Sequence, residues 1–329
     1  MSAREIGGYF GLECPGRPHY HDGAVALSCG RGALMYLAEL RRIRRVWVPD
    51  YMCDSVPRAL RRVGAEVLEY RIDGDFLPVY DFKPLEGDWV LLADYFGQLD
   101  RATVDGALAF SGGRLIVDET QGFFVPAWEG CDALWSCRKW FGVPDGAYAA
   151  TSDGARLSRA LPLDQSRGRM GFVLGRAERP AGEFFAEASA NNELFDGEPV
   201  KAMSPVTDSL MRSIDCEGAR VRRVGNWRLL DAALAGLNGL SLMEPRGPFM
   251  YPLLVDDGPT LKRRLIERGI FVPTLWPNVL EEAPEGSVAH RYARDIVPLP
   301  LDQRYGAEEM EYIIRFVQDA LEAEIGTRL

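Results

Sequence analysis

The stretch RLIVDETQGFF spans residues 114–124. It begins with a short apolar run rich in β-branched residues, and this run ends in an acid, Asp118. Runs of this length and composition are typical of strands that are buried on both faces of a sheet. Similar runs alternate with amphipathic segments from about residue 25 to residue 150. This alternation predicts an α/β fold: a mainly parallel central sheet with helices on both faces.

The individual elements follow from the same patterns. Strands are predicted at RVWVP (45–49), AEVLEYRI (65–72), WVLLADYF (89–96), RLIVDE (114–119), ALWSCR (133–138) and AYAAT (147–151). Helices are predicted at GALMYLAELRR (32–42), DSVPRALRRVG (54–64), SIDCEGARVRRVGNWRLLDAALAG (213–236), TLKRRLIERG (260–269) and AEEMEYIIRFVQDALEAE (307–324). With further strands at PFMYPLLV (248–255) and FVPTL (271–275), the tail is predicted to form a smaller α+β domain.

These elements divide the chain into three predicted parts. Residues 1–25 form an N-terminal arm, residues 26–210 a large α/β domain and residues 211–329 the small α+β domain. Within the large domain, residues 155–205 are rich in Arg, Gly and Pro and less periodic than the rest. That segment is expected to be a loop-rich connection or a region that contacts a partner.

Composition narrows the functional classes. The 329 residues are 47% hydrophobic and 26% charged, with a net charge of −10 and a pI near 5.0, which argues against a nucleic-acid scaffold. No apolar run approaches the roughly 18 residues of a membrane span, and the N-terminus MSAREIGGYF lacks a signal peptide's order, so a cytoplasmic protein is expected. The six cysteines form no CxxC pair and the three histidines are widely separated, so neither a disulfide framework nor a metal site is predicted.

Lysine is rare in this chain, which uses arginine for most of its positive charge. An amine can lose its proton and become a nucleophile, whereas a guanidinium cannot. Lys262, in TLKRRLIERG, is predicted to lie on a solvated helix face, and Lys83 in a loop. Lys139, in WSCRKWFGVPDGAY (135–148), has aromatic and small neighbours, as expected for a partly desolvated amine of lowered pKa. A reactive lysine and a structural cation are equal alternatives at this position.

Three other features accompany Lys139. In LSCGRGALMYLAEL (27–40), Ser28, Gly30 and Gly32 precede a helix whose free N–H groups could hold a phosphate, although a simple connection has the same pattern. Asp118 ends a strand, at the edge where open α/β sheets bind ligands, unless it only caps a turn. Ser136 ends another strand beside the lysine. One cofactor accounts for a phosphate cradle, an acid and a lysine together: pyridoxal 5′-phosphate.

The order and spacing of SCGRGAL, VPDYMCDSV, DYFGQ, VDETQGFF and SCRKWFGVPDGAY resemble the fold-type-I pyridoxal phosphate-dependent aminotransferases. The closest resemblance is to the sugar aminotransferases of the DegT/StrS family. IGGYFGLE and LPLDQRY are similar to a subgroup found in bacterial polysaccharide gene clusters. The resemblance covers nearly the whole chain and implies the fold-type-I architecture.

The resemblance implies roles for individual residues. Lys139 falls on the Schiff-base lysine and Asp118 on the acid that keeps the pyridine nitrogen protonated. Thr120 falls below the ring, and Gln121 near its phenolic oxygen. Three residues are implied at the cofactor phosphate: Gly30, Arg31 and Ser136.

Two segments depart from the family pattern. Cys53 stands where the family has an aromatic residue stacked on the ring, so Tyr51 or Tyr95 is expected to stack instead, or the stack is absent. Where the family has GxNxR before MS, this chain reads PVKAMS (199–204), and Lys201 is expected to replace part of the clamp that the family lends to the neighbouring subunit.

The implied reaction moves an amino group from an amino acid, glutamate by resemblance, to a keto-sugar nucleotide used in polysaccharide or glycan precursor synthesis. Related sugar dehydratases carry histidine in place of the lysine, so Lys139 argues against that activity. Amino-acid transamination, elimination or a non-catalytic binding or regulatory role stay open as alternatives.

The remaining expectations concern substrate and partner contacts. A homodimer with shared active sites is expected, with its interface near Asn191, Asn192 and Lys201. The candidate substrate contacts are Tyr9, Phe10, His21, Lys201, Trp276, Arg291 and Arg304.

Overall fold

The computed structural model describes residues 8–13 and 16–328, with side chains to residue 322. A seven-stranded sheet forms its centre. The strands are β1 (Val25–Leu27), β2 (Arg45–Pro49), β3 (Glu66–Tyr70), β4 (Trp89–Ala93), β5 (Leu115–Asp118), β6 (Asp132–Ser136) and β7 (Ala147–Ala150). Their order is β1-β7-β6-β5-β4-β2-β3; the pairs from β6 to β3 are parallel, and β7 runs antiparallel to both β6 and β1. The predicted α/β class with a mainly parallel sheet is confirmed.

Helices cover the sheet, so that the side chains of its central strands are buried. Every residue of β4, β5 and β6 is buried, as expected for strands between two helical layers. The first helices are α1 (Gly30–Arg41), α2 (Ser55–Arg62) and α3 (Arg101–Phe110). α3 begins at Asp100, whose side chain accepts a hydrogen bond from the Thr103 N–H at 2.8 Å and so satisfies a free donor of the first turn.

The parallel strands bring polar residues to one edge of the sheet. Ala93 on β4 lies opposite Asp118 on β5, which in turn lies opposite Leu134 on β6. Because the carboxyl ends of parallel strands meet at the same edge, the residues that follow β4, β5 and β6 face one another there. Asp94, Asp118 and Ser136 are the polar residues at these ends.

Residues 155–205 contain no strand, but they are less rich in loop than predicted, because helices occupy much of the segment. These are α4 (Gly171–Gly175) and α5 (Phe185–Gly197), and α6 (Pro205–Ser213) and α7 (Cys216–Leu234) follow. The C-terminal elements are β8 (Tyr251–Leu254), α8 (Gly258–Glu267), α9 (Val279–Glu282), α10 (Val288–Asp295), β9 (Ile296–Leu299) and α11 (Ala307–Arg328). None of the helices in the described ranges is long and apolar enough to cross a membrane.

The predicted strand at 271–275 is wrong. That stretch is irregular, and β8 pairs instead with β9 in an antiparallel two-stranded sheet. Phe271 is 73% exposed, whereas all of β9 is buried, so burial rather than β propensity decides which segment pairs. The division at residue 210 stays a prediction; a second apolar core does gather around Trp227, Tyr251 and Leu299 in this half of the chain.

Lys262 also differs from expectation. It is 7% exposed rather than solvated, and its Nζ donates to the carbonyl oxygens of Ala293 at 3.4 Å and Arg294 at 3.0 Å. Burial lowers the pKa of its amine to about 8. The charge pattern of α8 predicted a solvated lysine. The ammonium is buried instead, because the backbone carbonyls at the end of α10 accept its hydrogen bonds.

Candidate functional site

A cavity of about 270 Å³ opens at the carboxyl edge of the sheet, between the start of α1 and the turns after β4, β5 and β6. Its position is the one where open α/β sheets bind ligands. The cavity brings together most of the residues predicted at a cofactor: Gly30, Arg31, Cys53, Tyr95, Asp118, Thr120, Gln121, Ser136 and Lys139.

Lys139 lies in the turn after β6 and is exposed into the cavity. Within the described part of the chain its Nζ makes no hydrogen bond or ion pair. The pKa of its amine is lowered, chiefly by loss of hydration among the surrounding protein atoms and further by the charges of Arg138 and Arg31, while Cys53 and Asp118 act in the opposite direction. An unpartnered amine of lowered pKa is the state in which lysine acts as a nucleophile.

Asp118 closes β5 and turns its carboxyl group toward the cavity. It is 8% exposed, and its Oδ1 accepts a hydrogen bond from the Thr120 N–H at 2.9 Å. Burial raises the pKa of this carboxyl, and the hydrogen bonds from Thr120 and the charge of Lys139 oppose that rise. A buried carboxylate next to a cavity fits a ligand that brings its own positive charge or N–H donor.

The opposite end of the cavity is positive. α1 begins there, capped by Cys29, whose Sγ accepts a hydrogen bond from the Gly32 N–H at 3.2 Å. Asn192 of α5 fixes two arginines beside it: its Oδ1 accepts from Arg31 Nη2 at 3.0 Å and from Arg138 Nη2 at 3.1 Å. Burial lowers the pKa of Arg138 to about 10, which leaves it charged at neutral pH. A helix N-terminus with two guanidinium groups is a site for an anion such as a phosphate.

Ser136 and Gln121 complete the polar lining. Ser136 is 7% exposed, and a methyl group built on Gly30 would lie 3.7 Å from its Cβ, an ordinary contact distance, so the start of α1 lies beside the end of β6. Gln121 Oε1 accepts a hydrogen bond from the Phe96 N–H at 2.8 Å, but its Nε2 is buried without a partner among the described residues. A buried N–H donor that lacks a partner on a cavity wall can donate a hydrogen bond to an acceptor atom of a bound ligand.

Of the two aromatic candidates for stacking, only Tyr95 lines the cavity. The ring of Tyr51 is fully buried behind it; the Tyr51 carbonyl accepts a hydrogen bond from the Tyr95 hydroxyl at 2.6 Å. Trp276 reaches the cavity, and its ring packs edge-on against Tyr51 with the centroids 4.5 Å apart. Cys53 also lines the cavity, where its Sγ accepts a hydrogen bond from Ser55 Oγ at 3.2 Å.

The expectation that His21 contacts substrate needs correction. His21 is 8% exposed and its ring stacks on Trp135, with the centroids 4.0 Å apart. Its Nε2 lies 2.8 Å from the carbonyl oxygen of Phe123. Burial lowers the pKa of this histidine to about 3, so it is neutral at physiological pH. His21 is a core residue of the arm's attachment to the sheet.

The other candidate substrate contacts lie away from the cavity of their own chain, except Trp276. Tyr9 and Phe10 are almost fully exposed, and Arg291 is exposed on α10. Lys201 pairs with Glu198, and Arg304 with Asp302 at 2.7 Å. Among the residues that the structure describes, no cluster of histidine, cysteine and acidic side chains suits a metal ion.

Two residues that line the cavity were not predicted there from the sequence. No role was predicted for Asp94, and Asn192 was expected at a subunit interface. Asp94 carried a usable signal, because it follows the apolar run WVLLA as Asp118 follows LIV. Asn192 carried none, since it reaches the cavity only through the packing of α5 beside α1. Its neighbour Asn191 is buried, and its side chain donates to the Pro144 carbonyl at 2.8 Å.

No family model matches the sequence, and no curated protein matches it in sequence. Solved structures do match in fold. The sugar aminotransferase CalS13 from Micromonospora echinospora has 16% identity and a TM-score of 0.63, over 90% of this chain and 87% of that one. A DegT DnrJ EryC1 StrS aminotransferase from Brucella abortus has 15% identity and a TM-score of 0.61, over 90% and 85%.

A third match is NtdA from Bacillus subtilis with bound cofactor PMP, at 13% identity and a TM-score of 0.62, over 91% of this chain and 73% of that one. At these identities the likeness establishes the fold. The chain therefore has the fold of the aminotransferase family that its sequence motifs resemble, and the predicted fold type is confirmed.

Proposed function

We propose that this chain is a pyridoxal phosphate-dependent aminotransferase that transfers an amino group from an amino acid, with glutamate as the favoured donor, to a keto-sugar nucleotide. The observation that carries the proposal is one cavity that unites an unpartnered lysine amine, a buried carboxylate and an arginine-flanked helix N-terminus. The sugar aminotransferase CalS13, which has the same fold, supports the class of acceptor.

The residues of the cavity fit this cofactor. The positive end, with Arg31, Arg138 and the first N–H groups of α1, suits its phosphate, and Ser136 adds a hydroxyl. Asp118 suits a protonated ring nitrogen, and the unpartnered Nε2 of Gln121 suits the phenolic oxygen. Bound there, the cofactor supplies an aldehyde for a covalent bond to an amine and a ring that accepts electrons.

The chain's own residues supply the proton chemistry. The lowered pKa of Lys139 leaves a larger share of its amine uncharged near neutral pH, so that Nζ could act as a nucleophile toward the cofactor and, as a free amine, as the base that moves a proton. Asp118 holds negative charge where the ring nitrogen would carry a proton. Tyr95 and Cys53 line the cavity and would border a bound ring, and Thr120 lies close to Asp118 in the chain.

The decisive experiment traps the cofactor. The purified protein is incubated with pyridoxal phosphate and reduced with borohydride, and the modified peptide is mapped by mass spectrometry; we expect the label on Lys139. Lys139→Ala should lose the label yet keep non-covalent binding through the phosphate site, whereas Lys83→Ala, in an exposed loop, should behave as wild type. Label on Lys201 or Lys262 in the wild type would contradict the proposal.

Glutamate then separates an enzyme from a binding protein. Addition of glutamate should convert the bound cofactor to its aminated form, and Asp118→Ala should slow this conversion by about two to four orders of magnitude while the label on Lys139 persists. A cofactor that binds but is unchanged by any amino acid would indicate a binding role instead.

A further inference from the structure

Two fully enclosed carboxyl groups lie behind Asp118. Asp94 follows β4 and is 2% exposed, and Glu119 follows β5 and is 0% exposed. One oxygen of each is satisfied: Asp94 Oδ1 accepts a hydrogen bond from the Leu99 N–H at 2.9 Å, and Glu119 Oε1 accepts one from Trp128 Nε1 at 2.6 Å.

The two remaining oxygens, Asp94 Oδ2 and Glu119 Oε2, are buried and receive no hydrogen bond from any donor among the described residues. They also converge on one point, because a methyl group built on Gly122 would overlap both of them. Two ionised carboxylates that face each other without a donor would repel strongly in an environment of low polarity. A single proton between these oxygens satisfies both.

We propose that Glu119 carries this proton and donates it in a hydrogen bond to Asp94, so that the pair holds one negative charge and fastens the turn after β4 to the turn after β5. In this arrangement Asp94 and Glu119 are positioning residues for the cavity. Their importance for catalysis rests on the proposed function, but the shared proton does not.

The surroundings of the two groups place the proton on Glu119. Asp94 accepts a hydrogen bond from the Leu99 N–H, and the nearby N–H of Gln98 further favours its charged form, whereas Glu119 has, among the described residues, the indole of Trp128 as its donor. Asp118 is the other titratable group that acts on the pair, and its negative charge also favours the protonated form; Lys139 acts on Asp118. Burial and the neighbouring Asp94 raise the pKa of Glu119 well above its ordinary value.

The position of the pair explains its effect on the cavity. The same two turns are also joined by the Asp94 N–H, which donates to the Asp118 carbonyl at 3.1 Å, and by the bond from the Phe96 N–H to Gln121 Oε1. Tyr95 in one turn, and Thr120 in the other, line the cavity. If the two turns separated, the cavity-lining residues Tyr95 and Thr120 and the carboxyl of Asp118 would therefore move.

The pH dependence of folding tests the shared proton. Because the folded state holds a proton on Glu119 that the unfolded chain releases above about pH 4.5, the wild type should lose stability as pH rises above that value. Glu119→Gln keeps a donor toward Asp94 and needs no proton. In urea unfolding of the whole chain, the unfolding constant of the wild type relative to Glu119→Gln should rise by up to about tenfold per pH unit from about pH 5 toward pH 8.

Glu129→Gln is the matched control, since Glu129 is exposed in the same loop and should give a ratio that does not change with pH in this range. A constant ratio for Glu119→Gln would overturn the proposal. This outcome would leave the labelling of Lys139 unaffected, so failure of the shared proton and failure of the proposed function are distinguishable.

A double variant tests the geometry independently. In Asp94→Asn the new amide donates to Glu119, and in Glu119→Gln it donates to Asp94, so each single variant keeps the bond. In the double variant Leu99 and Trp128 hold the two amide oxygens, and two N–H₂ groups face each other. The double variant should be less stable than either single variant. If Asp94→Asn and Glu119→Gln each stabilise the fold, and their effects on the free energy of unfolding add in the double variant, then the two carboxyls do not share a proton.

The positioning role has its own measurement. Glu119→Ala removes the bond between the turns, and we expect it to weaken pyridoxal phosphate binding, measured by equilibrium dialysis, by about tenfold or more. Glu119→Gln should restore wild-type affinity, because it replaces the bond and leaves the single negative charge of the pair on Asp94. Equal losses in both variants would show that the bond between the turns does not set the affinity, and would overturn this role.

Discussion

At the scale of the residue, the hydrogen-bond partners of a desolvated lysine decide its role. Lys139 and Lys262 both lose hydration, and in both the pKa of the amine is lowered. Lys262 gives its hydrogens to backbone carbonyls at the end of α10 and is held as a structural cation. Lys139 has no such partner in the described part of the chain, and it faces a cavity that Asp118 also lines. Only the second arrangement leaves an amine available for chemistry.

His21 gives a residue-scale prediction for the acid side of the stability profile. Burial lowers the pKa of this histidine to about 3 in the folded chain. Below about pH 6.5 the unfolded chain therefore binds a proton at His21, whereas the folded chain does not. The wild type should therefore lose up to about 1.4 kcal/mol of stability per pH unit below that value from this residue alone.

His21→Phe isolates this contribution. At about pH 8 the variant should be less stable by roughly 1–3 kcal/mol, because the carbonyl of Phe123 loses its hydrogen bond. The deficit should shrink as the pH falls from about 6.5 to 5, since phenylalanine does not titrate. Urea unfolding at several pH values measures both effects. A deficit that stays constant with pH would mean that His21 is not the acid-sensitive group.

At the scale of the element, strand ends were predictable and helix packing was not. The apolar runs before Asp118 and Ser136 predicted β5, β6 and the edge of the candidate site, because open α/β sheets bind ligands at the carboxyl ends of their parallel strands. The contribution of α5 was not predictable, since Asn192 contacts Arg31 across 161 residues of sequence. Likewise β9 was missed because its burial depends on the fold of α7 and α11 around it.

The turn after β4 offers a prediction at this scale. It passes through Gly97 at φ +76°, and a methyl group there would lie 2.9 Å from Cβ of Pro245. Gly97→Ala should therefore lose roughly 1–2 kcal/mol from the left-handed backbone and about 1–3 kcal/mol more from the clash. It should also weaken cofactor binding, because the same turn carries Tyr95 to the cavity.

Gly113→Ala is the matched control for the clash. Gly113 has a similar φ of +80°, with nothing near the position of the added methyl group. It should lose only the backbone part of the free energy of unfolding and should bind the cofactor as wild type does. Thermal unfolding and equilibrium dialysis measure the two quantities. Equal losses of stability in both variants would show that the turn yields to Pro245 without strain.

At the scale of the whole molecule, the segment 155–205 exposes several large apolar side chains. Leu163 and Leu174 are 62% exposed and Phe185 is 75% exposed, all within the segment 155–205. Exposed apolar side chains gathered in one segment mark a contact surface. Because α5 begins at Phe185 and carries Asn192 to the cavity, a partner on this surface would also hold the phosphate end of the site in place.

We therefore expect a homodimer that buries this surface, and Phe185→Asp should shift it to monomer, because a charge would be desolvated at the interface. Phe271→Asp is the control, since Phe271 is 73% exposed but lies outside the segment. Sedimentation equilibrium gives the oligomeric state, and cofactor affinity should fall only in Phe185→Asp, because loosening α5 frees Asn192 from Arg31 and Arg138. A wild type that sediments as a monomer with full cofactor affinity would show that the cavity is complete within one chain.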